Sequence, residues 1–457
     1  MKHRASSGEA VAKDIARAEK SVFHIAKSYV NRKRFNRFMR ILGPGLVTGA
    51  ADDDPSGIAT YSQAGAVFGA RLLWAFPLMF PLLLIVQESC ARIGAITGKG
   101  LAANLKSHYR KELLYVAVFL VVVANTINIG SDIGAMAATM QLFFDIHFSV
   151  FAILFTATAV VMTLYVRYKT YAKILKWLAI ALFAYPITAF VIGQDWKSLA
   201  AATFSLPKLN FDMLYIFVGM LGTTISPYLF FWDTSEVVEE EVLKHNMHKI
   251  GEDPSATKRF LHKLRIDNFV GMALASVTAW FIVVVCASVL FGKHGEIVTA
   301  ADAAKALEPL VQSFPNAGLL AKLIFSVGII GLGLLAVPVL AGSASYAMSE
   351  LFGWREGLSN KPGRARGFYA VIVVAMIVGL LINFLGIDPI KALIFTAVFN
   401  GIAAVPLLMM IAKIGNNRAI MGDYRNGRLS NIGVRAAFVV MFGAVGLLLF
   451  AMLTGRA

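Results

Sequence analysis

Charge is scarce in this chain: of 457 residues, only 15% are Asp, Glu, Lys or Arg, and 58% are hydrophobic. Soluble domains carry about 25% charged residues, and a mean hydropathy of +0.68 points the same way, so an ordinary water-soluble fold is excluded. Cysteine is nearly absent. Cys90 and Cys286 both lie in long apolar stretches, which argues against a disulfide framework or a thiolate metal site. The chain also lacks a P-loop, a dinucleotide fingerprint and a phosphorylated-Asp signature, so neither ATP-driven transport nor an enzyme is expected.

What fills the chain instead is a succession of apolar runs. Crossing the hydrocarbon core takes about 20 residues. Runs of that length fall at 41–69, 71–94, 112–131, 149–166, 171–192, 211–231, 266–291, 318–347, 368–386, 390–412 and 432–454. The expectation is an all-α polytopic membrane protein with 11 transmembrane helices. Residues 1–40 are basic and amphipathic with no apolar h-region, so no cleavable signal peptide is expected.

The formal charge of +16 invites a nucleic-acid reading, and its distribution argues against one. With the N-terminus placed in the cytoplasm, about 33 Lys and Arg fall in residues 1–40 and the loops on that side, against about 7 opposite. This is the positive-inside pattern. It puts the N-terminus in the cytoplasm and the C-terminus outside after an odd number of spans, and the expected location is the plasma (inner) membrane. Asn31-Arg32-Lys33-Arg34 then reads as an anchor to anionic lipid, and no nucleic-acid partner is expected.

Two spans carry interruptions that an unbroken membrane helix does not tolerate. Asp52, Asp53 and Asp54 precede Pro55 in the first, and each charge near the bilayer centre costs at least ~2.5–3.5 kcal/mol. Pro55 removes a backbone donor and Gly57 relaxes the chain, so the helix should break there. In the sixth span, Gly222-Thr223-Thr224-Ile225-Ser226-Pro227-Tyr228 does the same. Paired breaks at corresponding positions point to inverted repeats with a binding site at the midplane. The expected organisation is a basic segment 1–40, a first repeat 41–192 (helices 1–5), a second repeat 211–412 (helices 6–10) and an added helix 432–454.

Gly43-Pro44-Gly45 leading into Asp54-Pro55, Thr97-Gly98-Lys99-Gly100-Leu101 after the second span and Ser226-Pro227-Tyr228 in the sixth together resemble the Nramp (SLC11) family of proton-coupled divalent metal transporters. The similarity covers roughly 38–454. It implies a LeuT-type fold, a 5+5 inverted repeat with helices 1 and 6 broken at the midplane.

The departures bear on chemistry. The family carries Asp-Pro-Gly-Asn in the first span, where this chain keeps Asp54 as the coordinating Asp and has Gly57 for Asn. Its Met-Pro-His of the sixth span is replaced by Ser226-Pro227-Tyr228, and the backbone carbonyl it uses three residues before that Met corresponds to Thr223. Thioether suits softer transition metals, whereas carboxylate, carbonyl and hydroxyl suit Mg²⁺, Ca²⁺ or Mn²⁺. The resemblance thus implies Asp54, Thr223 and Ser226 as metal ligands, with Gly57, Asp53 and Tyr228 as neighbours. The acidic pair of the third span falls on Asn128 and Ser131 with Asp132 adjacent, and a later His of the sixth on Asp233.

Losing those His positions makes proton coupling doubtful. Asp52, Asp53, Asn128, Asp132, Asp233, Glu236 and Asn400 are the candidates for carrying protons or lining a vestibule. Asn125, Asn128 and Asp132 share one helical face. Asp233 to Glu241 otherwise reads as a solvated charged face, and Gln87, Glu88 and Glu350 as interfacial or ion-paired groups.

The expected function is a secondary transporter moving a hard divalent cation, Mg²⁺ or Mn²⁺, by alternating access. No permanent cofactor is expected; the metal is substrate, and the partners are the lipid bilayer and the small ion. Two alternatives stand beside it: a carrier of another small solute, with Gly57 and Ser226 marking an enlarged pocket, and a non-transporting sensor or scaffold.

Overall fold

Backbone in hydrocarbon must satisfy its own polar groups, so the apolar runs close into helices. The computed structural model describes residues 48–49, 51–166, 170, 179–208, 210–243, 258–292 and 296–454, and among them there is no strand. In chain order the helices are α1 (Pro55–Phe68), α2 (Ala75–Thr97), α3 (Leu101–His108), α4 (Lys111–Met140), α5 (Phe148–Tyr165), α6 (Ala184–Ile192), α7 (Trp196–Thr203), α8 (Phe211–Thr224), α9 (Pro227–Leu243), α10 (Lys258–Val289), α11 (Ala300–Lys305), α12 (Glu308–Val311), α13 (Ala317–Phe352), α14 (Arg366–Ile382), α15 (Pro389–Asn416), α16 (Arg418–Met421) and α17 (Arg428–Leu453).

Nine stretches among the described residues are long and apolar enough to cross a membrane, with α8 and α9 together forming one, Phe211–Glu241. They match nine of the eleven expected spans. The other two, 41–69 and 171–192, extend into residues outside those described, where α1 and α6 supply their C-terminal parts. The basic segment 1–40 and its anchor also lie outside the described residues.

Both interruptions are present. Ala51 and Asp52 are helical, Asp53 turns, Asp54 is extended (φ −63°, ψ 170°), and Pro55 opens α1. At the second break α8 ends at Thr224, Ile225 is non-helical (φ −107°, ψ 61°), and Pro227 opens α9. Proline fits there because its missing N–H is one that a helix start leaves unbonded anyway.

These broken helices occupy the centre. α1 packs against α10, α8 and α15, and α9 against α2 and α13. The α8–α9 stretch has 89% of its most apolar window buried, compared with 28% for α17, so α17 lies at the periphery. The α8–α15 crossing is so close that a Cβ on Gly222 would sit 2.0 Å from the Ala397 carbonyl oxygen, a fit only glycine permits. Such contacts draw membrane helices together where no hydrophobic force does.

Expectations for three polar sites are overturned. Asp233 to Glu241 is not a solvated loop face: the helix continues to Leu243, and Asp233, Glu236, Glu239 and Glu241 are all buried. For Glu239 the reason is that distant donors meet it. Glu239 accepts from the Tyr346 hydroxyl and from the backbone N–H groups of Leu358 (2.6 Å) and Ser359 (3.1 Å). Glu350, expected to be interfacial or ion-paired, is instead buried within α13 and accepts from Ser235 Oγ (3.0 Å) and the Ala103 N–H (2.8 Å). Gln87 is likewise fully buried, whereas Glu88 is ion-paired as expected, with Arg92 at 3.2 Å and Arg265 at 2.9 Å.

Candidate functional site

At the first break the chain caps its own half-helix. Asp54 Oδ1 accepts from the Gly57 N–H (2.8 Å) and Ser56 Oγ (2.6 Å), and Oδ2 accepts from Asn128 Nδ2 on α4 (3.0 Å). Aspartate at an N-cap satisfies an orphan helix donor, and the positive end of the helix dipole favours its charge. The carboxylate is only 1% exposed. Asp52 and Asp53 are buried beside it, and no ion pair among the described residues gives any of the three a basic partner.

The second break is closed by a hydroxyl. Ser226 Oγ donates toward the carbonyls of Thr223 (2.5 Å) and Gly222 (2.9 Å), which α8 would otherwise leave without a partner. A carbonyl oxygen has two lone pairs, so Thr223 keeps one for a further partner.

Three contacts tie the breaks together. Ser56 Oγ lies 3.4 Å from Thr223 Oγ1, Tyr61 Oη 2.7 Å from Thr224 Oγ1, and Tyr228 Oη donates to the Ala51 carbonyl at 2.7 Å. Thr224 also reaches Met79 Sδ on α2 at 3.8 Å, so a thioether lies beside the second break, from a different element than the resemblance implies. Gly57 does not open a pocket on this side. A Cβ placed there would lie 3.1 Å from Thr223 Oγ1, so Thr223 already fills the space a larger residue would take.

The remaining candidates divide into two groups. Asp132 is fully buried, one turn beyond Asn128 on α4, with Asp54 close enough to act on it electrostatically. Neither of its oxygens has a hydrogen-bond partner, nor does Asn128 Oδ1. Asn400 is buried on α15 next to Gly401, the residue that packs on Gly222, and neither end of its amide is partnered. Asp233 and Glu236 belong elsewhere. Asp233 accepts weakly from Asn268 (3.4 Å) and faces Asp267, while Glu236 lies near Tyr346. The sequence reading missed Tyr61 and Met79. Tyr61 is four residues beyond Gly57 and so on the same helical face, a signal that was available; Met79 had none.

Among the described residues, no three of His, Cys, Asp and Glu converge as a ready-made metal cage. Beside the N-terminal end of α1 there is a void of about 10 Å³ between Pro55, Ile58 and Ala135. Beyond it a cavity of about 870 Å³ is lined by Gln63, Ser131, Asp212 and Glu296 among others.

Two interrupted membrane helices meeting at a buried polar centre are an architecture suited to a membrane transporter. The chain is a multi-pass integral membrane protein and not an enzyme. The family description "Natural resistance-associated macrophage protein-like" matches residues 45–451, and the chain belongs to this Nramp family.

A protein named divalent metal cation transporter MntH from Caldanaerobacter subterraneus subsp. tengcongensis is 26% identical over 437 residues, covering 92% of this chain and 95% of its own. The MntH of Klebsiella pneumoniae is 24% identical over 424 residues, covering 92% and 96%. Among solved structures, the manganese transporter of Eremococcus coleocola superposes with a TM-score of 0.68 at 15% identity, over 92% of this chain and 88% of that one. MhsT, solved with L-phenylalanine, gives 0.57 at 12% identity, over 89% and 98%. These likenesses establish the LeuT-type fold that the family resemblance implied.

Proposed function

We propose that the protein carries a hard divalent cation, Mg²⁺ or Mn²⁺, across the membrane by alternating access, with Asp54 as the charged ligand. The observation that supports this reading is the buried Asp54 carboxylate, held by Asn128 and the α1 N-terminus, on a break whose Ser56 meets Thr223 of the second. Thr223 would supply its carbonyl and Ser226 its hydroxyl lone pairs, while Asp53 and Tyr228 flank the site. Mg²⁺ commonly keeps several waters and takes one or two carboxylates, and Mn²⁺ shares its preference for oxygen. The names of the relatives, divalent metal cation transporter and manganese transporter, support the substrate class.

Proton coupling, if present, runs without a histidine at the second break, since residues 211–243 contain none. Asp132 is then the candidate carrier, being buried near Asp54 with no competing donor. The charge asymmetry supports a cytoplasmic N-terminus, with the C-terminus outside.

Reconstitution in proteoliposomes tests this. Intact protein should give Mg²⁺ or Mn²⁺ uptake, and Asp54→Ala should reduce it to the level of empty vesicles. Absence of flux for both ions with correctly inserted protein would refute the reading. Uptake unaffected by Asp54→Ala would move the site elsewhere.

A further inference from the structure

Away from the residues of the breaks, the C-terminal end of α15, the N-terminal part of α17 and the end of α3 line an open cavity of about 440 Å³. Its walls include Tyr109, Lys413, Asn416, Asn417, Arg435 and Phe438, and no carboxylate. Lys413 and Arg435 stand on different helices and both line this space; no ion pair among the described residues involves either. Two exposed cations lining one groove with no carboxylate in its walls favour an anion there.

The surroundings say which anion. Arg435 lies on the same stripe of α17 as Ile432, Val439 and Phe442, spaced three, four and seven residues from it, and these are 65%, 63% and 59% exposed. Phe438, in the cavity wall, stacks on Phe442 at 5.7 Å. A long basic side chain thus tops an apolar, outward-facing track on a helix that crosses the membrane. Tyr109 adds an aromatic ring of the kind that settles at the headgroup level. A free anion would use the cations and leave the track uncovered. A phospholipid uses both, with its phosphate between Lys413 and Arg435 and an acyl chain along Val439 and Phe442.

We infer that this cavity binds the headgroup of an anionic phospholipid. Basic pockets between membrane helices on the positively charged side serve this purpose in general, and each cation near the headgroup layer is worth about a factor of five in affinity. The site is independent of the cation site at the breaks, so its test does not depend on transport.

The experiment is native mass spectrometry of the full chain released from detergent mixed with phosphatidylglycerol, with phosphatidylcholine and inorganic phosphate as separate arms. Intact protein should retain one phosphatidylglycerol in preference to phosphatidylcholine, and Lys413→Gln/Arg435→Gln should weaken that retention about thirtyfold. Arg364→Gln, outside the cavity, should leave it unchanged. Equal retention of both lipids, equal retention by the double variant, or displacement of the lipid by millimolar inorganic phosphate would each overturn the inference. A thermal melt of the double variant checks folding. If that variant proves unstable, Val439→Asp on the same stripe must lower retention instead, and its failure to do so overturns the proposal.

Discussion

Asp54 illustrates why a residue can be legible in a sequence while its setting is not. Its cost in an apolar run, and the Pro that follows, make it conspicuous among its neighbours in the chain. That its second oxygen is held by Asn128 depends on how α4 crosses α1, which no local pattern encodes. Gly57 shows the opposite. Read as lost volume, it suggested an enlarged pocket, but the Thr223 side chain closes over it. Gly57→Ala should therefore overpack the site and lower stability by about 1–3 kcal/mol. Thr223→Ala in the same chain should recover most of that loss by removing the facing methyl and hydroxyl. Thermal unfolding in detergent checks both, and a neutral Gly57→Ala would show the approach to be looser than it is drawn.

At the scale of elements, apolar length was enough to locate nine spans, because lipid leaves helical backbone no alternative. The ends that moved furthest did so for polar reasons. α9 runs twelve residues past the expected 231, since its acidic residues meet Tyr346 and the Leu358 and Ser359 amides rather than water. Acids spaced along a helix look alike whether water or a distant tyrosine answers them, so sequence favoured the commoner case.

This arrangement has a pH signature. Glu356, half-buried in the segment after α13, has its carboxyl pushed well above the usual range, first by burial and then by the neighbouring carboxylates of Glu350 and Glu239. The folded state therefore binds that proton more tightly than the unfolded chain. Stability from this group is intact below the ordinary Glu range and declines as pH rises from there toward the elevated value. Glu356→Gln should raise the melting temperature more at pH 8 than at pH 4. A gain that is equal at both pH values would mean the proton is not bound more tightly in the fold.

For the whole molecule, alternating access requires elements that part and rejoin. α1 is tied toward its C-terminal end to the segment before α11, where Gln63 Oε1 accepts from the buried Ile297 N–H at 2.9 Å. That bond spans 234 residues and lies beside the large cavity, so it is a candidate closing contact. Gln63→Ala should speed hydrogen exchange in the peptide carrying Ile297 about fivefold, the effect of losing a bond worth about 1 kcal/mol. Unchanged exchange would show that this segment stays closed without it.

The central claim is that the two breaks form one cation site, and the position of a bound metal decides it. Crystals of the intact protein soaked in Mn²⁺ should show an anomalous peak within coordination distance of Asp54 and the Thr223 carbonyl, lost in Asp54→Ala. A peak that lies elsewhere and survives that substitution would contradict it.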